Sequence, residues 1–450
     1  MTSFARQHRL QLTLFLGILV LFLAIWKGDG GYRDLGEYLS NAENMWLKGD
    51  LSKPGEPGKY FIHPLGIAFL SGPFVLAGAA IERISGGAIG HRSIAALSIP
   101  VFSALACLLL YETGRELRLS PLVSFWGAVM FGLATPLLSF TRLYFGEGGI
   151  ALSICLANWA FLRARRASGR ETFWWALLAG TGLAGATACH FNNIFISGLL
   201  WLAMAVSFYF SSRTESLSSR VNSIIAMTVI PILAGAALLY MNWRRFGSPL
   251  NTGYSTLLTN YNHPISVTNI PSNLQYLELW LIRVPWAIPA LLLLKKLWPR
   301  ERAWAIGLAL AAITQVVFFL CYIGLPFFPI RYPQSAVILL SVGLLLLGEE
   351  FWRRWGARGL IYSALAMLLW NAGHFIRATD SSSTQTFSIT PDNQSIRAYV
   401  WYMEPQGSGL TFGSPMGPLQ WVILTILVLV GGTLLATGAR EAARLSTEPI

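Results

Sequence analysis

The sequence predicts an all-α, multi-span integral membrane protein, and three observations predict it. Hydrophobic residues make up 54% of the 450 residues against 12% charged, with a mean hydropathy of +0.53. Uncharged runs recur near the roughly 20 residues needed to cross a bilayer as a helix. The 33 Lys and Arg collect in short clusters between those runs, as in the cytoplasmic loops of membrane proteins. This composition excludes a soluble multidomain chain. The formal charge of +12 therefore orients the chain and marks no nucleic-acid partner. Cys107, Cys155, Cys189 and Cys321 all fall within apolar runs without paired spacing, so they read as small core residues and imply no disulfide or metal framework.

The first run, Leu10 to Trp26, follows Arg6 and Arg9 and has no small-residue cleavage site after it, so it reads as a retained span. Next comes the stretch around which the chain is organised, residues 27–63, a polar loop with six carboxylates and a histidine. Acidic groups gathered beside a membrane need a reason, and this loop reads as the floor of an active site. Within it Leu35, Tyr38, Leu39, Ala42, Met45 and Trp46 repeat at three to four residues, predicting an amphipathic helix at the interface.

Pro64 to Ile81 is uncharged for eighteen residues but broken by Pro73 and glycines. Later uncharged runs lie at about 93–111, 120–141, 148–162, 172–190, 193–210, 221–243, 284–298, 303–325, 332–348, 359–376 and 419–438. The loops between them alternate. One set is short and basic: Arg115 and Arg118; Arg163, Arg165, Arg166 and Arg170; Arg213 and Arg220; Lys295, Lys296, Arg300 and Arg302; Arg353, Arg354 and Arg358; Arg440 and Arg444. If 64–81 does not span, this set shares the cytoplasm with the N-terminus, which places 19 of the 33 Lys and Arg inside. If it does span, the clusters move outside, against the usual bias. The expectation is therefore about twelve transmembrane helices, both termini cytoplasmic, with 64–81 a helix or re-entrant piece at the outer surface. His63, His91, His190, His263 and His374 then come out at the external face with Asp29, Asp34, Glu37 and Glu147. External loops being simply more polar is the plain alternative.

From these positions a resemblance emerges. Asp34, Tyr38 and Ala42 at four-residue spacing, then Gly49-Asp50-Leu51, then His63-Pro64-Leu65-Gly66 resemble the first external loop of polyprenyl-phosphate-sugar-dependent glycosyltransferases of GT-C fold. The similarity is to the bacterial branch of glycosyltransferase family 39, alongside protein O-mannosyltransferases and the lipid A aminoarabinose transferase. Thr141 to Glu147 (TRLYFGE) resembles that group's second external acidic site. Asn242 to Pro249 with Thr252-Gly253-Tyr254, and Arg331-Tyr332-Pro333, resemble two later motifs. The similarity of order runs from about residue 10 to 345, which sets a catalytic module at 1–345, with external loop 27–92. Residues 346–450 form C-terminal spans with an external segment 377–418 and a cytoplasmic tail 439–450. Relatives often carry adjacent Asp-Glu in the first loop, whereas here Leu35 follows Asp34 and the nearest glutamate is Glu37.

The resemblance implies transfer of a hexosyl or pentosyl group from a polyprenyl-phosphate carrier to a hydroxyl of a lipid, glycan or protein, at the outer face of the cytoplasmic membrane, by inverting single displacement. That chemistry needs a general base and cations or donors for the departing phosphate. Asp34 is the first candidate for the base, with Asp29 competing and helix capping as the bland role for Asp34. Glu147, between Gly146 and Gly148, would orient the acceptor, share a metal, or simply pair with Arg142. Arg92, Arg244, Arg245, Arg283 and Arg331 are the phosphate candidates, since a guanidinium donates two bonds at once; singly, each also suits a snorkelling anchor. His63, Tyr38 and Tyr332 complete the candidate site. A divalent metal is left open, because carboxylates and His63 offer suitable donors but no tight ligand spacing. The rival class is a transporter or flippase of lipid-linked sugars, which should carry ionisable groups near mid-membrane.

Overall fold

The computed structural model describes residues 3–26, 33–53, 56–61, 63–141, 144–210, 216–252, 265–322, 334–379 and 418–447. Helices dominate. The first, α1 (Ser3–Ala24), is followed by α2 (Arg33–Glu43), which runs into a π-helical turn over Asn44–Lys48. A two-stranded antiparallel pair, β1 (Ser52–Lys53) with β2 (Glu56–Tyr60), joins Ser52 to Tyr60. Short helices α3 (Gly66–Leu70), α4 (Gly72–Ile84) and α5 (His91–Ala96) complete the loop region.

The bundle follows with α6 (Ser98–Glu116), α7 (Pro121–Leu133), α8 (Leu137–Phe140), α9 (Glu147–Arg166), α10 (Arg170–Cys189), α11 (Asn193–Tyr209) and α12 (Leu217–Phe246). It ends with α13 (Ile270–Arg283), α14 (Ala287–Leu293), α15 (Trp298–Cys321), α16 (Gln334–Thr379) and α17 (Pro418–Thr447). Six segments among the described residues are long and apolar enough to cross a membrane: Ala5–Ala24, His91–Glu116, Leu217–Phe246, Ala287–Cys321, Gln334–Asn371 and Val422–Thr447. The chain is a multi-pass membrane protein. The segment expected not to span is two helices of five and thirteen residues, and thirteen residues reach only about 20 Å of the roughly 30 Å hydrocarbon core.

The bundle is held by small residues where backbones approach, the usual device when lipid removes the hydrophobic drive between helices. A Cβ on Gly17 of α1 would lie 2.8 Å from Leu435 of α17, and one on Gly343 of α16 would lie 2.3 Å from the Ala290 carbonyl oxygen of α14. Outward faces are apolar: Ile232, Leu233 and Leu429 are each at least 60% exposed, as helices bathed in hydrocarbon require. Within α16 the chain reverses at Gly356, whose φ of 59° suits glycine.

Among the described residues two apolar cores result. The larger joins α1 and α6 to α17; the smaller contains Tyr38, Leu39, Ala42, Ile67, Ala68, Val75, Ala95, Ile99, Phe102 and Tyr144. The loop region is thus a cap with its own core, seated on one end of the bundle. Charge separates along the bundle. At the far end from the cap, Glu116 takes Arg163 at 3.0 Å and Arg166 at 2.6 Å, and Arg165 meets Glu301 at 3.3 Å.

Candidate functional site at the capped end

The cap turns on α2. Its apolar residues Tyr38, Leu39 and Ala42 are buried at helical spacing, as the sequence predicts, but Ser40, Asn41, Glu43 and Asn44 are buried as well. The expected interfacial helix is enclosed on both faces because α3, α4 and α5 close over it. Trp46 fixes this closure by donating its indole N–H to the Ala68 carbonyl at 2.9 Å. Asp34 is the second residue of α2, one turn before Tyr38. Asp29, the competing base, lies outside the described residues.

His63 is buried and stacks on Tyr38, with ring centroids 4.2 Å apart and planes inclined by 26°. Its Nε2 lies 3.0 Å from Glu37 Oε2. At that separation the carboxylate lies beside the ring without the direction of a hydrogen bond, since both ring nitrogens lack a directed partner. Arg245, in the last turn of α12, is buried and donates to the carbonyl oxygens of Phe61 and, at 3.3 Å, His63. Its guanidinium also rests 4.7 Å from the Phe246 ring centroid. Carbonyls of an irregular segment have no ladder partner, and a planar cation with five donors satisfies two of them. The structure therefore brings together three of the predicted residues, Tyr38, His63 and Arg245, with Glu37 between them and the first turn of α2.

Arg92 is held elsewhere. Its guanidinium grips Glu43 through both oxygens, at 2.6 and 2.8 Å, and donates to Ser40 Oγ at 3.0 Å. His91 bridges Glu43 at 2.7 Å and Glu82 at 2.6 Å. Burial opposes ionisation of Glu43, but the bonds and charges of Arg92 and His91 outweigh it and hold the carboxyl below its usual range. Glu43, Glu82 and Ser40 form a network that the sequence reading missed. The available signal was a His-Arg pair following a glycine-rich link, two cations that need acidic partners when folded against a helix.

Glu147 is the first residue of α9 and is 3% exposed. A carboxylate at a helix start meets unpaired backbone N–H groups and the positive end of the dipole. The glycines after it have a separate cause: a Cβ on Gly148 would lie 2.9 Å from Ile99, and one on Gly149 3.0 Å from Ile67 and Cys189. Tyr144, just before, is fully buried and shares a short hydrogen bond with Ser71, tying this segment to the cap. Arg142 lies outside the described residues, so the pairing expected with Glu147 does too.

Arg283 closes α13, is buried, and reaches Ser139 Oγ on α8 at 3.4 Å. Burial lowers its guanidinium to about 10, so it stays charged at neutral pH inside apolar surroundings. Arg244 faces outward, beside the half-exposed Trp243. Arg331, Tyr332, Tyr254 and His263 lie outside the described residues. Among the described residues no three His, Cys, Asp or Glu side chains gather as a metal cluster.

No family model and no curated protein matches the chain. Among solved structures, ArnT from Cupriavidus metallidurans is similar, both bound to undecaprenyl phosphate and in the apo state. Each likeness has a TM-score of 0.55 at 17% identity and covers 97% of this chain and 76% of that one. The Saccharomyces cerevisiae protein O-mannosyltransferase complex bound to its sugar donor matches 55% of this chain and 35% of that one, with a TM-score of 0.39 at 16% identity. With a fold similar to that of ArnT over 97% of its length, the chain has the GT-C fold.

Proposed function

We propose that the protein is an integral membrane glycosyltransferase that moves a hexosyl or pentosyl group from a polyprenyl-phosphate carrier to an acceptor hydroxyl at the capped end of the bundle. The observation that carries this reading is the clamp of Tyr38, His63 and Arg245, which fixes α2, and with it the turn bearing Asp34, against the end of the bundle. A base must be held to within a fraction of an ångström of its task. Supporting it is the fold shared with ArnT, a protein solved with undecaprenyl phosphate bound.

In this reading Asp34 accepts the proton of the acceptor hydroxyl while that oxygen bonds to the anomeric carbon. The bond from that carbon to the carrier phosphate breaks on the opposite side, inverting the centre. Charge develops on the departing phosphate and is met by arginines. Arg283, buried and cationic, and Arg244, exposed at the end of α12, serve best; Arg92 is occupied by Glu43, and Arg245 by carbonyls. Arg331 is carried from the motif alone. Glu147 positions the acceptor, which is a lipid, glycan or protein. The capped end faces outward, both termini are cytoplasmic, and the membrane is the cytoplasmic (inner) one; the basic clusters at the opposite end of the bundle support that orientation.

The test is transfer by purified, reconstituted protein from radiolabelled polyprenyl-phosphate sugars. Wild type should release polyprenyl phosphate as labelled acceptor forms. Asp34→Asn should lower kcat by about 10²- to 10⁴-fold while donor binding persists. Full activity in Asp34→Asn with loss in Asp29→Asn moves the base by five residues. Labelled lipid crossing the bilayer with no donor consumed on a broad panel replaces the enzyme with a flippase.

A further inference from the structure

At the basic end of the bundle, opposite the cap, a cavity of about 380 Å³ opens between α9, α11 and the start of α15. Arg165, Arg300, Glu301 and Arg302 line its mouth, with Trp298 and Phe210 on its walls. Three guanidinium groups against one carboxylate leave an excess of two positive charges. These arginines are arranged, not merely scattered along a loop. Arg165 is largely buried and set by Glu301 at 3.3 Å, and Arg302 rests 5.3 Å from the Trp298 ring centroid. The helix of α15 is interrupted at Glu301, with φ −139° and ψ 52°, so its regular part begins at Arg302. The positive end of a helix dipole therefore borders the same cavity.

Below the arginines the lining turns apolar and faces lipid. Phe210 is 76% exposed and Ile306 37%, and Leu202 and Leu310 continue the apolar surface along α11 and α15. The two helices are drawn together beneath the cavity, where a Cβ on Gly307 would lie 2.2 Å from that of Ala203. The shape is a cationic mouth over an oily seam.

We infer that this cavity binds the phosphodiester headgroup of an anionic phospholipid from the leaflet at the basic end, with its acyl chains along α11 and α15. Arginine forks match phosphate oxygens, and basic pockets between transmembrane helices hold anionic headgroups. A flat belt of arginines explains orientation alone, whereas a concave site with an apolar seam selects a molecule carrying both a phosphate and chains. The inference rests on the membrane location of the chain and is independent of the transferase reading.

The experiment is native mass spectrometry of the full chain in detergent with phosphatidylglycerol or phosphatidylcholine added, and with glycerol 3-phosphate as a soluble competitor. Wild type should retain phosphatidylglycerol over phosphatidylcholine by on the order of tenfold, and R300Q/R302Q should lose that preference. R353Q/R354Q, at exposed positions of the same end, should keep it. A303E, which adds a carboxylate to the cavity wall and leaves every arginine in place, should lose it as well. Retention by R300Q/R302Q, or equal loss in R353Q/R354Q, overturns the site. Displacement by glycerol 3-phosphate as effective as by phosphatidylglycerol overturns the lipid and makes the ligand a soluble phosphate.

Discussion

At the scale of single residues, the cap depends on a few cations satisfied by name. Glu43 is the sharpest case, because one buried carboxylate answers both Arg92 and His91. Its depressed pKa fixes the sign of its pH dependence. Above the ordinary carboxylate range Glu43 is ionised in folded and unfolded chains alike, so its contribution is fully present; it is lost as pH falls below about 4 through the folded value. Replacing Glu43 with Gln should cost on the order of 1 to 3 kcal/mol at pH 7, toward the lower figure because Arg92 is 41% exposed and screened. Thermal unfolding across pH 7 to 3 checks this: the gap between wild type and Glu43→Gln should narrow on acidification, and a constant gap removes the ion pair from the account. The sequence made Tyr38, His63 and Arg245 legible through motif order. It did not make their contacts legible, because Arg245 acts on carbonyls at Phe61 and His63 about 180 positions away, and backbone acceptors carry no residue signature. Glu43 escaped notice for the opposite reason. It reads as an ordinary helical glutamate until α5 is folded against it.

Elements behave differently, because their fit is set by backbone proximity. The hydrophobic runs foretold nearly every bundle helix, since a bilayer enforces length and apolarity directly. The small strand pair over 52–60 was not foretold: its residues are polar, and two short strands leave no periodic pattern. The seating of α3 was equally hidden. Gly66 begins that helix, and a Cβ there would lie 2.2 Å from the Ala188 carbonyl carbon and 2.4 Å from the Cys189 amide nitrogen, at the end of α10. Backbone on both sides cannot give way as a flexible side chain would. Gly66→Ala should therefore lift α3, cost about 1 to 3 kcal/mol, and reduce transfer by displacing the nearby His63. Gly36, within α2, meets nothing within 4 Å, so Gly36→Ala should stabilise by up to about 1 kcal/mol through helix propensity alone. Melting temperatures of the pair in one detergent decide the matter, and equal shifts in the two would remove close packing as the cause.

For the whole molecule, the central feature is polarity along the bundle: a cap rich in carboxylates and histidines at one end, arginine-dominated ion pairs at the other. That segregation was legible in the sequence through alternation of basic and polar loops. It hinges on one decision, whether 64–81 crosses, and that segment folds as two short helices, α3 and α4, which meet at Ser71 with Pro73 in the first turn of the second. The proposed orientation in the cell rests on charge, because Lys and Arg resist translocation. The expected outcome can be read by cysteine labelling. Cys107, Cys155 and Cys189 are buried and Cys321 half-buried, so a chain carrying Cys321→Ser offers a quiet background for a membrane-impermeant maleimide. Lys59→Cys, exposed in β2 of the cap, should label in intact cells; Arg353→Cys, 67% exposed at the basic end, should label only after permeabilisation. The reverse pattern would turn the cap toward the cytoplasm. A lipid-linked donor presented at the outer leaflet would then never meet Asp34, and the proposed reaction would fail on topology whatever the geometry of the clamp.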